Sequence, residues 1–486
     1  MSRFARRAGL LASAALFAVA AGAPARADTL REALIEAYNT NPSLQAARAQ
    51  QRGVDENVPI ARAAGLPSVS TDAQAMKYLD AGIYSQTGPT KTLNAGADLT
   101  IPVYSGGAVR NRVAAAKIRV DAGQADLRGT ESQVFAAVVA AYMDVIRAEA
   151  IVGLNRKNIS VLKTNLQATS DRFEIGDVTR TDVAQSQSRL AVAESDSRTA
   201  EANLAAARET YIQLVGSAPD ALTPPPPLPD LPASAEDAVQ IALDSNPDLI
   251  AARERSKAAE RDIAVAGAGR LPRVSLFSSG SYIDYLGSVD RRVYSYDSYH
   301  TVTAGVSVSL PLFQGGLPAA QRRQAQAAAS ASLETEIAAE RSVIAQVRSA
   351  YSSWLAANDV IRSSKVAVDA AALSLEGVRA ENSVGNRTIL DILNAEQESL
   401  NAQVQLVTAQ RNAYVAGFSL LAAMGKAEAR DLNFDNDILY DPQVNYERVR
   451  TKIFDWGDDP APAAKSTRTV DTPVQDGDIP AEQTTP

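Results

Sequence analysis

Cysteine is absent from the 486 residues and histidine occurs once, as His300. Without a thiol there is no disulfide framework, no thiolate metal site and no lipid-anchored N-terminus at a signal cleavage point. His300 lies in a tyrosine-rich polar loop, where a solvated or interfacial place suits it better than a ligand role. No metal cluster, nucleophile constellation or phosphate loop occurs, so neither catalysis nor a cofactor is implied. Basic charge is scarce too. Removing Arg3, Arg6, Arg7 and Arg26 with an N-terminal leader takes the formal net charge from −8 to −12, which argues against nucleic acid as a partner. Long apolar runs are also missing. None approaches the ~20 residues of a transmembrane helix, so any passage through a membrane is left to strands.

What is present begins with that leader. Residues 1–27 combine three arginines, an apolar run over 8–21 and Ala25-Arg26-Ala27 as an Ala-x-Ala cleavage site. This is a secretory signal peptide, its apolar core too short to span a bilayer. The mature chain is expected to start near Asp28.

The remainder is duplicated. Asn41-Pro-Ser-Leu-Gln-Ala-Ala-Arg48 and Asn246-Pro-Asp-Leu-Ile-Ala-Ala-Arg253 match at six of eight positions, at an offset of 205. Ile101-Pro-Val-Tyr-Ser-Gly-Gly107 pairs with Leu310-Pro-Leu-Phe-Gln-Gly-Gly316 at an offset of 209, which then holds through Tyr142 with Tyr351 and Gly216 with Gly425. The expected division is 28–218 for the first repeat, 219–233 for a proline-rich extended connector, 234–428 for the second repeat and 429–457 for a C-terminal segment. In that segment Phe434, Leu439, Tyr446, Val449 and Trp456 are expected to pack as a belt around helices. Residues 458–486 are polar and proline-rich, and disorder is expected there.

Each repeat reads as helix, two strands, long helix, tip and return helix. Leu93, Ala95, Ala97, Leu99 and Ile101 alternate with polar residues, as do Val302, Ala304, Val306, Val308 and Leu310. Their partners lie near 67–79 and 272–285. Such strands have the ~9–11 residues that cross a bilayer, although a soluble hairpin packed on a core fits the alternation equally. After each Gly-Gly step an apolar heptad seam follows, from Val134 to Phe173 and from Val343 to Val378, rich in alanine. A helix over 108–173 is ~100 Å long at ~1.5 Å per residue, so the shorter helices match it only when stacked end to end. The strands set a further condition. Four cannot close a barrel and open edges are not tolerated in lipid, so copies must assemble; two give a filled barrel, three a twelve-stranded one with a lumen. A cyclic trimer suits a conduit better.

The tips echo each other. The stretch 384–391, Val-Gly-Asn-Arg-Thr-Ile-Leu-Asp, repeats in Gly385, Thr388 and Asp391 the spacing of Gly176, Thr179 and Asp182. Together with the signal peptide, the Asn-Pro-x-Leu-x-Ala-Ala-Arg openings and the Gly-Gly strand ends, these motifs resemble the TolC family of outer-membrane export channels over roughly 28–426. The resemblance implies a homotrimer: a twelve-stranded barrel in outer-membrane lipid, continuous with a long α-helical coiled-coil tunnel in the periplasm. It implies a passive duct for type I protein secretion, multidrug efflux or both. A periplasmic adaptor and an inner-membrane ABC or RND transporter are the implied partners. By the same resemblance Thr181, Asp182, Arg387 and Asp391 form the periplasmic gate, with Arg387 paired to Asp182 and Asp391 in an anionic collar. Gly176, Thr179, Gly385 and Thr388 are then tip-turn and adaptor-contact positions. Asn382 and Asn394 depart from the family, standing where some members have a gating tyrosine and a second aspartate ring. The alternative is a periplasmic coiled-coil adaptor or scaffold, which shares the heptads but carries one helical hairpin with compact β domains.

Overall fold

A computed structural model describes residues 29–79, 88–229, 231–290, 292–435 and 437–479. The leader expected over 1–27 and the last residues, 480–486, lie outside them. The first repeat runs α1 (Leu30–Thr40), α2 (Pro42–Asp55), α3 (Asn57–Ala63), β1 (Ser68–Lys77), β2 (Lys91–Ser105), α4 (Ala108–Glu174) and α5 (Arg180–Val215). The second runs α6 (Ala235–Ser245), α7 (Pro247–Gly267), β3 (Arg273–Asp284), β4 (Ser298–Ser309), α8 (Leu317–Ser383) and α9 (Ile389–Ala423), and α10 (Pro442–Val449) follows.

The duplicated Asn-Pro opening is a joint between helices. Pro42 and Pro247 sit at helix position N1, where a missing N–H costs nothing. Asn41 caps α2 by accepting from the Ser43 and Leu44 amides, while its Nδ2 donates to the Leu214 carbonyl at the end of α5, 2.9 Å away. Asn246 caps α7 in the same way and donates to the Ala423 carbonyl of α9, also 2.9 Å. One amide thus ends one helix and starts the next. This gives the end-to-end stacking that lets shorter helices flank α4 and α8, each of 67 residues.

The seam of α4 is buried at Val134, Val138, Ala141, Val145, Ala148, Val152, Asn155, Leu162 and Thr169, whereas Phe173, its last member, is 44 % exposed beside the tip. On α8 only Ala329, Val343, Val347, Tyr351 and Ser364 are buried, so much of the copied seam is uncovered. The main core lies where the repeats meet. Tyr38, Phe135 and Phe434 pack with centroids 5.6–6.1 Å apart, and the buried Arg48 lies 4.2 Å over the Tyr38 ring. Equivalent tyrosines pin the two ends of the connector: Tyr142 donates to the Thr223 carbonyl at 2.6 Å and Tyr351 to that of Ala233 at 2.7 Å.

The four strands form one antiparallel sheet in the order β1-β2-β3-β4. In register, Val69 faces Leu99, Ala73 faces Ala95, Ile101 faces Leu276, and Leu276 faces Val306, so one face carries most of the aliphatic residues of the strands, with Phe277 and Ile283 of β3 on the other. The other face carries Ser70, Asp72, Asp98, Thr100, Ser279, Thr303 and Ser307. Among the described residues no helix is long and apolar enough to cross a membrane.

Two expectations for the C-terminal part are corrected. Phe434 and Val449 are buried and Leu439 packs on the core, but Trp456 is 84 % exposed and outside any belt. Disorder from 458 onward does not describe 458–479: Asp459 pairs with Arg448 of α10, Thr467 lies against Gly216 at the end of α5, Asp476 meets Arg208 and Asp478 meets Arg156. Composition alone misses ion pairs made with helices some three hundred residues away.

Replacing Asn246 by Ala removes a helix cap and an interhelix hydrogen bond together, an expected loss of about 2 kcal/mol. Urea unfolding of the detergent-solubilised protein measures it. Asn246→Ser keeps the cap acceptor and is expected to recover roughly half.

Candidate functional site at the hairpin tips

Each long helix ends on a left-handed glycine: φ is +80° at Gly176 and +83° at Gly385. The Gly176 amide donates to the Phe173 carbonyl and that of Asp177 to the Arg172 carbonyl; Gly385 and Asn386 do the same to Asn382 and Glu381, all at 2.9–3.0 Å. A Cβ at either glycine would meet nothing within 4 Å, so backbone handedness and not crowding calls for glycine.

The return helices start on matching capping boxes. Thr179 Oγ1 accepts from the Asp182 amide while Asp182 Oδ2 accepts from the Thr179 amide at 2.8 Å, and Thr388 and Asp391 repeat this at 2.9 Å. Hydrogen bonds from the Thr179 side chain and amide hold the Asp182 carboxyl below its usual range, and the Thr388 amide chiefly does so for Asp391. Both aspartates therefore have a structural task beside any other. Thr181 is exposed on the first turn of α5.

The expected pairing of Arg387 with Asp182 is not made within the chain. Arg387 Nε donates to Glu381 Oε2 at 2.6 Å across its own turn, much as Arg172 pairs with Asp177 at 2.6 Å in the other tip. The capping box uses Asp182 locally, and short-range partners cost less chain entropy than a reach between hairpins. Asn382 Nδ2 donates to the Arg387 carbonyl at 2.6 Å, so it braces the turn.

The polar link between the two helical pairs lies higher, on residues not singled out from sequence, apart from Asn394. Glu396 on α9 is 5 % exposed; its Oε1 accepts from Asn165 Nδ2 on α4 at 2.7 Å and from Arg379 on α8 at 3.0 Å. Arg189 on α5 donates to Asn394 Oδ1 on α9 at 2.7 Å. Around these lie Leu162, Ala193 and Leu393, with Ile159, Leu190 and Ile389. A carboxylate three residues after Leu393, within the apolar phase of α9, was the available signal for Glu396. Among the described residues no His, Asp or Glu cluster is placed to hold a metal ion.

The model of the outer membrane efflux protein family matches residues 33–217 and 238–426, one stretch per repeat. The chain belongs to that family. It is 34 % identical over 448 residues to the outer membrane efflux protein BepC of Brucella suis biovar 1 (strain 1330), covering 92 % of this chain and 96 % of that protein. With the outer membrane protein TolC of Escherichia coli (strain K12) it shares 28 % over 470 residues, covering 91 % and 93 %. The crystal structure of the outer membrane protein VceC of Vibrio cholerae has the same fold, with a TM-score of 0.70 at 23 % identity over 82 % of this chain and 96 % of that one. The protein is thus an outer-membrane efflux channel of the TolC family, set in the outer membrane and extending into the periplasm. The family is one of channels, not of enzymes. Two helix-hairpin-helix halves, in place of one hairpin with β domains, leave the adaptor alternative unsupported.

Gly385→Ala places a Cβ in the left-handed region at a cost of about 1 kcal/mol, and Thr388→Ala removes the cap. Both are expected to speed amide exchange over 385–391 several-fold while leaving 176–182 unchanged. The caps also carry a pH dependence. Because their aspartates titrate below the ordinary 3.8 when folded, the stabilisation is complete above that value and is lost as the pH falls through the folded one. Amide protection at Thr179 and Thr388, which donate to those carboxylates, compared at pH 6 and pH 3 after correction for intrinsic rates, is expected to drop only at the lower pH.

Proposed function

We propose that three copies close a twelve-stranded barrel in outer-membrane lipid over a helical tunnel, forming a passive exit duct whose lower mouth is the hairpin tips. The observation that carries this is the four-stranded sheet with two open edges, β1 and β4, joined directly to helices of 67 residues. In lipid each unpaired edge needs a partner, and β4 of one copy against the next copy's β1 supplies it without a seam. The aliphatic face then meets lipid and the Asp72 and Asp98 face lines the lumen. Leu333, Ile337, Leu355, Val366 and Leu373, exposed along α8, become the surface against a neighbouring copy.

At the mouth, Thr181, Asp182, Arg387 and Asp391 form the constriction, and three Asp391 carboxylates make an anionic collar that favours cations. Rigid turns present Asp182 and Arg387, while Glu396 with Asn165 and Arg379 ties the two pairs of one copy together. Gly176, Thr179, Gly385 and Thr388 shape the outer tips that a periplasmic adaptor grips. The duct has no chemistry of its own, so an inner-membrane ABC or RND transporter supplies energy for type I secretion, multidrug efflux or both.

Planar-bilayer recording tests the gate. Arg387→Ser, Asp182→Ala and Glu396→Gln are each expected to raise single-channel conductance, Glu396→Gln most because it removes the one buried carboxylate that holds both Asn165 and Arg379. Asp391→Asn is expected to reduce cation preference. Unchanged conductance and selectivity in all four would remove the gate from the tips. A cysteine pair placed across the β4 and β1 edges, in a chain with no native cysteine, is expected to yield covalent trimers; dimers alone would rule out the twelve-stranded barrel.

A further inference from the structure

We infer that the groove between α4 and α5 is a docking site for an extended acidic peptide, and that residues 474–479 of this chain are its resident ligand. Two arginines line the groove, each already shared between the helices. Arg208 on α5 pairs with Glu149 on α4 at 2.9 Å, both largely buried, and Arg156 on α4 pairs with Glu201 on α5 at 3.1 Å. The tail adds a second carboxylate to each. Asp476 offers its carbonyl to Arg208 at 3.0 Å and its carboxylate at 3.5 Å; Asp478 reaches Arg156 at 2.8 Å. The Gln475 amide donates to Glu209 at 3.1 Å. Between the aspartates, Gly477 lies against the Glu201 backbone so closely that a Cβ would overlap it, and Ile479 packs onto the core above Gly153. The Asp-Gly-Asp-Ile order fits this groove residue by residue.

The second repeat shows what is special about the first. At the 209-residue offset Glu149, Arg156, Glu201 and Arg208 correspond to Asn358, Lys365, Gln410 and Gly417. That groove is covered as well, by the proline-rich connector. Tyr414 donates to the Pro226 carbonyl at 3.1 Å, Leu228 fills the space a side chain on Gly417 would need, and Asn358 and Gln410 line the same hollow. Each segment that follows one repeat therefore straps the helical pair of the other. The connector does so with apolar contacts and is tethered at both ends. Residues 474–479 are held instead by ion pairs whose aspartates are 73 % and 80 % exposed. Exposed pairs of this kind are weak and screened by salt, so the tail is a strap that salt or a competing acidic peptide releases, while the connector stays.

Hydrogen-exchange mass spectrometry on the full chain tests this. In 0.1 M NaCl the amides of 474–479 are expected to be protected, and exchange is expected to rise at least tenfold in Asp476→Ala/Asp478→Ala or in 1 M NaCl, with α5 unchanged. A fluorescent peptide of sequence Pro-Val-Gln-Asp-Gly-Asp-Ile is expected to bind that variant in low salt, to bind wild type at least tenfold more weakly, and to lose affinity when Arg156→Gln is added. A wild-type tail exchanging at the rate of an unstructured peptide would overturn the inference. So would protection indifferent to both salt and the aspartates, or no peptide binding to the vacated groove.

Discussion

The fold depends on the amide side chains of Asn41 and Asn246. A helix of 67 residues offers an apolar stripe far longer than any return helix of 35 or 36 residues can cover. Covering it needs two helices in line, and two helices in line create a break where carbonyls of one end and amides of the next both lack partners. Asparagine is suited to that break because one side chain carries both an acceptor and a donor. Its oxygen takes the amides of the starting helix and its nitrogen serves a carbonyl of the ending one. Proline at the next position keeps α1 and α6 from running on into α2 and α7, so the two residues act together.

Much of this was legible in the chain. The repeats, the strand faces and the helix lengths followed from periodicity, since side chains on strands and helices must alternate with their burial. The Asn-Pro pair was legible as a repeat and as a helix start but not as a joint, because its partners are the backbone carbonyls of Leu214 and Ala423, which leave no mark in sequence. At the tips, Thr-x-x-Asp is a capping pattern readable from spacing alone, and attention to a family gate drew Asp182 and Asp391 away from that plainer role. Arg387 illustrates the same limit: family position suggested a partner across the bundle, while Glu381 lay six residues away. Glu396 required asking which charged residue falls in an apolar phase. The course of the tail was illegible, since its ion pairs join residues with no local pattern between them.

The two repeats have diverged under the segments that cover their helical pairs and not at their joints and capping boxes. Tyrosines equivalent by position anchor the connector at both ends, and the joints and the capping boxes of the tips match bond for bond. The charged quartet on α4 and α5 has become Asn, Lys, Gln and Gly on α8 and α9. Duplication thus left a common frame on which one pair acquired an ionic cover and the other an apolar one.

The self-contained turns at the tips have a mechanical consequence. Because each closes on its own glycine and its own Thr-Asp box, a tip keeps its shape whatever the hairpin above it does. It is the rigid end of a lever. The arm from the Asn41 joint down α5 spans 36 residues, about 54 Å, so one degree of tilt at the joint moves the tip by about 0.9 Å. A tilt of about three or four degrees at Asn41 is enough, at that distance, to carry the tip across roughly the diameter of an atom.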